Sequence, residues 1–131
     1  MTKSESECFF CSRAKNESIY SSKFVFVIRD NKFPVTKHHT LIATHRHVSD
    51  FFDLNNNELN DLAEVLKKQR KLLVNFDKEI TGFNVGVNVG VDAGQSIMHC
   101  HIHLIPRRKG DMDNPRGGVR GVIPSKQKYI K

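Results

Sequence analysis

His99, His101 and His103 alternate with Cys100 and Ile102, and Leu104-Ile105 follows directly. In a β-strand successive side chains point to opposite faces, so this spacing puts all three imidazoles on one face. Met98, Cys100, Ile102 and Leu104 fall on the other, which reads as a core face. Imidazole is the side chain that serves as nucleophile, acid, base or metal ligand near neutral pH. Alternate strand residues lie ~6.6 Å apart and the outer pair ~13 Å apart. One zinc holds its ligands at ~2.0–2.3 Å. A straight strand therefore cannot give all three histidines to one ion, and the row implies a division of labour.

A second group with metal-ligating chemistry is Cys8-Phe9-Phe10-Cys11. A Cys-x-x-Cys is redox-active or structural. Redox pairs open a helix inside a βαβ unit, whereas this one stands close to residue 1. A tetrahedral zinc would need two more ligands, with His38, His39, His45, His47 and His99 as the available histidines.

The elements that must position these residues follow from pattern. Residues 24–28, Phe-Val-Phe-Val-Ile, predict a strand, and Pro34 breaks the chain after it. Residues 39–43 predict the next strand, and a short helix or turn covers residues 48–54. Asn55 or Asn56 caps the clearest helix. Leu59, Leu62, Val65, Leu66, Leu72, Leu73 and Phe76 recur along it at helical spacing. Residues 82–89 predict a strand that pairs antiparallel with the triad strand across a short loop around Asp92-Ala93-Gly94. The expected fold is α+β: a mostly antiparallel sheet with one long helix, in a single domain spanning 1–131. Residues 112–131, rich in glycine and proline, form an irregular C-terminal extension.

The chain has 131 residues, 3 cysteines and a formal net charge of +7. An odd cysteine count argues against a disulfide framework and for the cytoplasm. No run of ~18 apolar residues is present, so no membrane partner is expected, and residues 1–7 do not read as a secretory leader. The positive charge favours anionic partners. Much of it sits at Arg107, Arg108, Lys109, Arg116, Arg120, Lys126, Lys128 and Lys131.

The row His-φ-His-φ-His-φ-φ, with φ apolar, resembles the signature of the histidine triad (HIT) superfamily of nucleotide hydrolases and transferases. Residues 88–98, from Asn88 through Gly94-Gln95-Ser96, and residues 106–111 after the triad are similar to that family as well. The resemblance runs from Cys8 to about Tyr129. It is nearest in kind to small bacterial HIT proteins described as diadenosine tetraphosphate hydrolase-like.

That resemblance implies roles. His101, the middle histidine, would be the nucleophile that attacks the α-phosphorus and forms a nucleotidyl-histidine. His103 would donate to a non-bridging α-phosphate oxygen. Gly94 would let backbone N–H groups approach the phosphate, with Gln95 beside it, and Ser96 would donate to the phosphate or leaving group. Asn88 would stand near the phosphate, Asp30 would take the ribose hydroxyls, and His39 would lie near the phosphate site. Ile28 and Phe26 would line the base pocket. Relatives with the Cys pair hold a structural zinc, which maps onto Cys8, Cys11, His47 and His99.

The implied function is a nucleotide hydrolase for dinucleoside polyphosphates or nucleoside phosphoramidates. A nucleotidyl transferase using the same intermediate is the alternative, and a non-catalytic zinc-containing nucleotide- or nucleic-acid-binding module is the third reading. Nucleic acid is the less expected partner, because DNA-end-processing relatives add a further zinc finger. Relatives pair through the helix and an edge strand, so a homodimer is expected. The C-terminal extension is expected to pack on the body or the partner chain and bring Arg116 or Arg120 near the substrate. Two positions depart from the family: His38 replaces a glycine, and Ala43-Thr44 replaces an apolar-proline pair.

Overall fold

A computed structural model describes residues 7–129. A short helix α1 (Arg13–Asn16) follows the Cys pair. The strands are β1 (Tyr20–Ser21), β2 (Val25–Arg29), β3 (Thr40–Thr44), β4 (Ile80–Val87) and β5 (His101–Arg108), and the long helix is α2 (Asn56–Phe76). They form one sheet in the order β1-β2-β3-β5-β4. Every neighbouring pair is antiparallel. The fold is thus α+β with one long helix, as the sequence pattern predicts.

The sheet is covered on both faces. Val25, Val27, Ile42 and Ile102 point to the side packed by α2 through Leu62 and Val65. Phe26, Ile28, Leu41 and Ala43 point the other way and pack under residues 8–14. Every residue of the central β3 is buried. Burying one such aliphatic or aromatic side chain contributes roughly 1.5–3 kcal/mol. Phe26 and Ile28 are 1% and 3% exposed. They are core beneath the knuckle rather than walls of an open base pocket, which corrects the expectation for both.

Helix α2 starts where Asn55 and Glu58 cap each other. The Asn55 side chain accepts from the Glu58 N–H, and the Glu58 carboxylate accepts from the Asn55 N–H, a reciprocal capping box. The same carboxylate, 2% exposed, takes two hydrogen bonds from Arg46, at 2.8 and 3.1 Å. The helix start is thereby tied to the segment that carries His47. The buried stripe is Glu58, Leu62, Val65, Gln69 and Leu73. Leu72 and Phe76, expected in that stripe, are exposed. Buried Glu58 and Gln69 hold their places because Arg46 and Arg29 pair with them.

Three features of the triad strand differ from simple pairing. It begins at His101, so His99 and Cys100 precede it in irregular backbone. Its link to β4 is a loop over residues 88–100, longer than a tight hairpin, with a 3-10 turn at Val91–Ala93 and positive φ at Gly90 and Gly94. Pro106 lies inside the strand. Its carbonyl accepts from Thr36 Oγ1 on the side where β3 has ended, so the missing N–H interrupts no ladder bond.

His38 has φ +72°. The left-handed backbone survives with a side chain on it, at a cost of roughly 1–2 kcal/mol. Its carbonyl accepts from Thr40 Oγ1 at 2.8 Å, and its ring packs edge-on against Phe76. Beyond β5, residues 112–129 make two 3-10 turns, Gly118–Val122 beside β4 and Pro124–Lys126 against the first turn. Arg116 and Arg120 stack against the Tyr129 ring, each 5.1 Å from its centre. Arg107 and Arg108 are engaged too, with Asp111 and Asp77. Lys131 lies outside the described residues. No helix among the described residues is long and apolar enough to cross a membrane.

Candidate metal centre and active site

Cys8, Cys11, His47 and His99 converge, with all four ligand atoms within 4.8 Å of one another. The closest pairs are His47 Nδ1 to Cys11 Sγ at 3.1 Å and to His99 Nδ1 at 3.2 Å, and Cys8 Sγ to His99 Nδ1 at 3.4 Å. Bonds of ~2.0–2.3 Å in a tetrahedron put ligand atoms about 3.3–3.8 Å apart, so these three separations are near those around a four-coordinate ion. His99 is already prepared as a ligand. Its Nε2 donates to the Thr44 carbonyl at 2.7 Å, which leaves Nδ1 with a free lone pair turned into the cluster. Burial pushes the ring down to about 4, so it is neutral at pH 7. Thr44 also donates its N–H to the Cys100 carbonyl at 3.4 Å. His45 and His38 stay out of the cluster: His45 Nε2 meets Ser21 and Ser22, and His38 faces Asp77.

The next two histidines do something different. His101 Nδ1 lies 2.7 Å from the His99 carbonyl. A carbonyl only accepts, so the His101 proton is on Nδ1 and Nε2 carries a bare lone pair. For His39, the Val35 N–H donates to Nδ1 at 3.0 Å, which puts that proton on Nε2. His39 Nε2 in turn stands 2.9 Å from His103 Nδ1. Nδ1 of His103 must accept, so its own proton is on Nε2. Two neighbouring imidazoles on one face thus hold opposite tautomers, one offering an electron pair and the other an N–H.

Burial favours the neutral form of all three rings. Burial lowers His101, with the His99 carbonyl pulling the other way, and burial lowers His39. His103 is pushed down to about 4 by burial, with His101 and His39 adding to the effect. A neutral imidazole is the nucleophilic form.

A sequence model of the family described as "HIT domain" matches residues 12–110. The chain belongs to the HIT family. It is 36% identical over 81 residues to a bis(5'-nucleosyl)-tetraphosphatase [asymmetrical] of Schizosaccharomyces pombe, covering 62% of this chain. It spans less than half of that protein, 44% of its length. It is 33% identical over 112 residues to an adenosine 5'-monophosphoramidase of Candida albicans, covering 80% of this chain and 73% of that one. Among solved structures, a Zn-bound histidine triad family protein from Mycobacterium smegmatis superposes with TM-score 0.73 at 28% identity, over 82% of this chain and 80% of that one.

The remaining HIT-like positions fall into three settings. Ser96 is exposed on the loop, and the Gly94 backbone passes close to the Asn88 amide, where an added Cβ would meet Nδ2 at 4.0 Å. Gln95 is turned inward. Its amide donates to the Ser49 and Ile97 carbonyls and accepts from the Gly90 N–H, so the side chain builds the loop rather than reaching a ligand. His39 likewise acts through His103, being 2% exposed.

Asp30 makes an Asx turn, with Oδ1 accepting from the Lys32 and Phe33 N–H groups. Its Oδ2 lies 3.9 Å from His39 Nδ1, but that nitrogen accepts from Val35, so the two are not an ion pair. Phe10 stacks on His101, with ring centres 4.6 Å apart, a contact that the sequence pattern does not indicate. Its only signal was its place inside the Cys-x-x-Cys.

The depressed His103 gives stability a pH dependence of definite sign. Unfolded, His103 titrates near its ordinary ~6.5, whereas the native ring stays neutral down to about 4. Over that window the unfolded chain binds more protons. The contribution is complete above ~6.5 and is lost as pH falls towards 4. Urea unfolding at pH 7 and pH 5 should show a drop that shrinks in His103→Asn; an equal drop in both proteins would contradict the assignment.

Proposed function

We propose that the protein is a nucleotide hydrolase acting at an α-phosphorus, on dinucleoside polyphosphates or nucleoside phosphoramidates. The supporting observation is the pair of opposite tautomers, a bare Nε2 on His101 beside the Nε2–H of His103. The relatives named as a tetraphosphatase and a monophosphoramidase point to the same bond class.

In this reading His101 Nε2 attacks the α-phosphorus, and the bridging P–O or P–N bond breaks with its electron pair leaving on the displaced group. That group takes up the hydroxyl proton of Ser96, which is exposed on the loop. A nucleotidyl-histidine remains. Water then attacks the same phosphorus and gives its proton to the Ser96 oxygen, while the P–Nε2 bond breaks with its electron pair returning to His101, which is neutral again. His103 donates to a non-bridging oxygen throughout, with His39 holding that ring's proton on Nε2. Backbone at Gly94 and the Asn88 amide complete the phosphate cradle, and Asp30 Oδ2 receives the ribose. Phosphoryl-transfer sites work chiefly by such positioning and charge stabilisation.

Cys8, Cys11, His47 and His99 would hold a structural Zn2+, which closes the N-terminal knuckle and supplies no step of the reaction. A thiolate-bearing site of this kind suits a reducing compartment such as the cytoplasm. The homodimer reading rests on β4, which ends the sheet and pairs with no second strand among the described residues. A shallow apolar groove runs beside it, lined by Leu66, Val74, Ile80, Phe83 and Val85. Open edges of this sort are normally covered.

Three outcomes follow. His101→Ala should lose roughly 10³-fold or more in kcat while still binding nucleotide, and wild type with a slow substrate should carry one nucleotidyl adduct on His101 by mass spectrometry. A kcat within tenfold of wild type would end the mechanism. Protein purified without chelator should hold about one zinc per chain, and Cys8→Ser should lose both metal and Tm; a zinc-free wild type whose Tm matches that variant would remove the metal. Sedimentation should give twice the mass of one chain, and a monomer at micromolar concentration would rule out the dimer.

A further inference from the structure

We propose that Phe10 is a positioning residue that couples the metal knuckle to the nucleophile, a role that rests on the reading of His101 given above. Phe10 lies between Cys8 and Cys11 and is 0% exposed. Its ring stacks on His101, with centres 4.6 Å apart and planes inclined by 30°. The same ring touches His99, at 5.5 Å and 39°. One side chain inside the Cys-x-x-Cys therefore contacts both the ligand histidine and its neighbour on the reactive face.

His101 needs such a contact. Its one hydrogen bond among the described residues, to the His99 carbonyl, fixes where Nδ1 sits. It leaves the ring free to swing about the Nδ1–carbonyl axis, and that swing moves Nε2. An aromatic face at stacking distance sets the plane of the ring. The His103 ring, 5.4 Å away and inclined by 58°, bounds the other approach.

Both anchors come from the cluster. The carbonyl belongs to a ligand residue, and Phe10 is held between two more. Closing the four ligands thus fixes the knuckle, the knuckle fixes the Phe10 ring, and that ring aims Nε2. Phe9 supports it edge-on at 5.1 Å. Ala14 and Phe26, both buried, pack in the apolar core with Phe10 and limit any retreat of the ring.

The test uses the full chain as isolated, with its metal. Phe10→Leu keeps every ligand and an apolar side chain, but has no flat face. It should retain wild-type metal content and lower kcat by about 10- to 100-fold, since small misplacements of a reacting group cost that much. KM should stay within about twofold, because Phe10 does not reach the nucleotide. A folded, metal-loaded Phe10→Leu with wild-type kcat would overturn the proposal.

A substrate-free measurement covers the cases in which that variant does not fold or no substrate is turned over. Stacking on Phe10 should shift the His101 ring protons upfield in the NMR spectrum. Removing the metal with a chelator should release that shift, while His45, stacked on Phe26 outside the cluster, keeps its own. His101 signals that do not move on metal removal would equally overturn it. Intact NMR coupling without turnover of any nucleotide would instead retire the hydrolase reading and leave Phe10's coupling of metal to His101 standing.

Discussion

The site depends on one residue facing two ways. His99 offers its ring to the Cys8, Cys11 and His47 cluster and its carbonyl to the Nδ1 of His101. These two demands need different directions from one backbone position. They are met because His99 lies before β5 in irregular backbone, anchored by the Cys100 N–H to the Val48 carbonyl at 2.6 Å. Had the strand begun two residues earlier, His99 would have shared the face of His101, and the metal cluster would have lost a ligand.

From that anchor the chemistry is a matter of hydrogen-bond direction. A carbonyl fixes one proton on His101, and a backbone N–H, relayed through His39, fixes the opposite one on His103. Burial keeps the rings neutral, which a nucleophile requires. Basic side chains contribute less than the net charge suggests. Arg107 and Arg108 are held by Asp111 and Asp77, and Arg116 and Arg120 by Tyr129. Neutral donors and lone pairs therefore shape the immediate surroundings of the triad.

Much of this was legible in the sequence, for identifiable reasons. Strand alternation placed Cys100, Ile102 and Leu104 in the core and His101 and His103 on one face, because period-2 patterning follows directly from strand geometry. Asn55 as cap and the long helix were equally plain. The resemblance supplied His47 and His99 as partners of the Cys pair, and the fold brings those four together. Other features needed three dimensions. The resemblance makes Gln95 a ligand contact, yet its amide is taken up by Ser49, Ile97 and Gly90. Phe26 and Ile28 read as pocket walls but are covered by the knuckle, which packs on them from far away in sequence. Leu72 and Phe76 fit the helical stripe in period and fall outside the covered arc. Phe10 stacks on a residue 91 positions away, a contact no local pattern encodes.

The central claim is that His101 and His103 are neutral and hold opposite tautomers. Long-range 15N–1H correlation spectra of the imidazole rings at pH 7 read this directly. The expected result is a protonated Nδ1 and a pyridine-like Nε2 on His101, with the reverse on His103. A proton on Nε2 of His101, or the same tautomer on both rings, would contradict it.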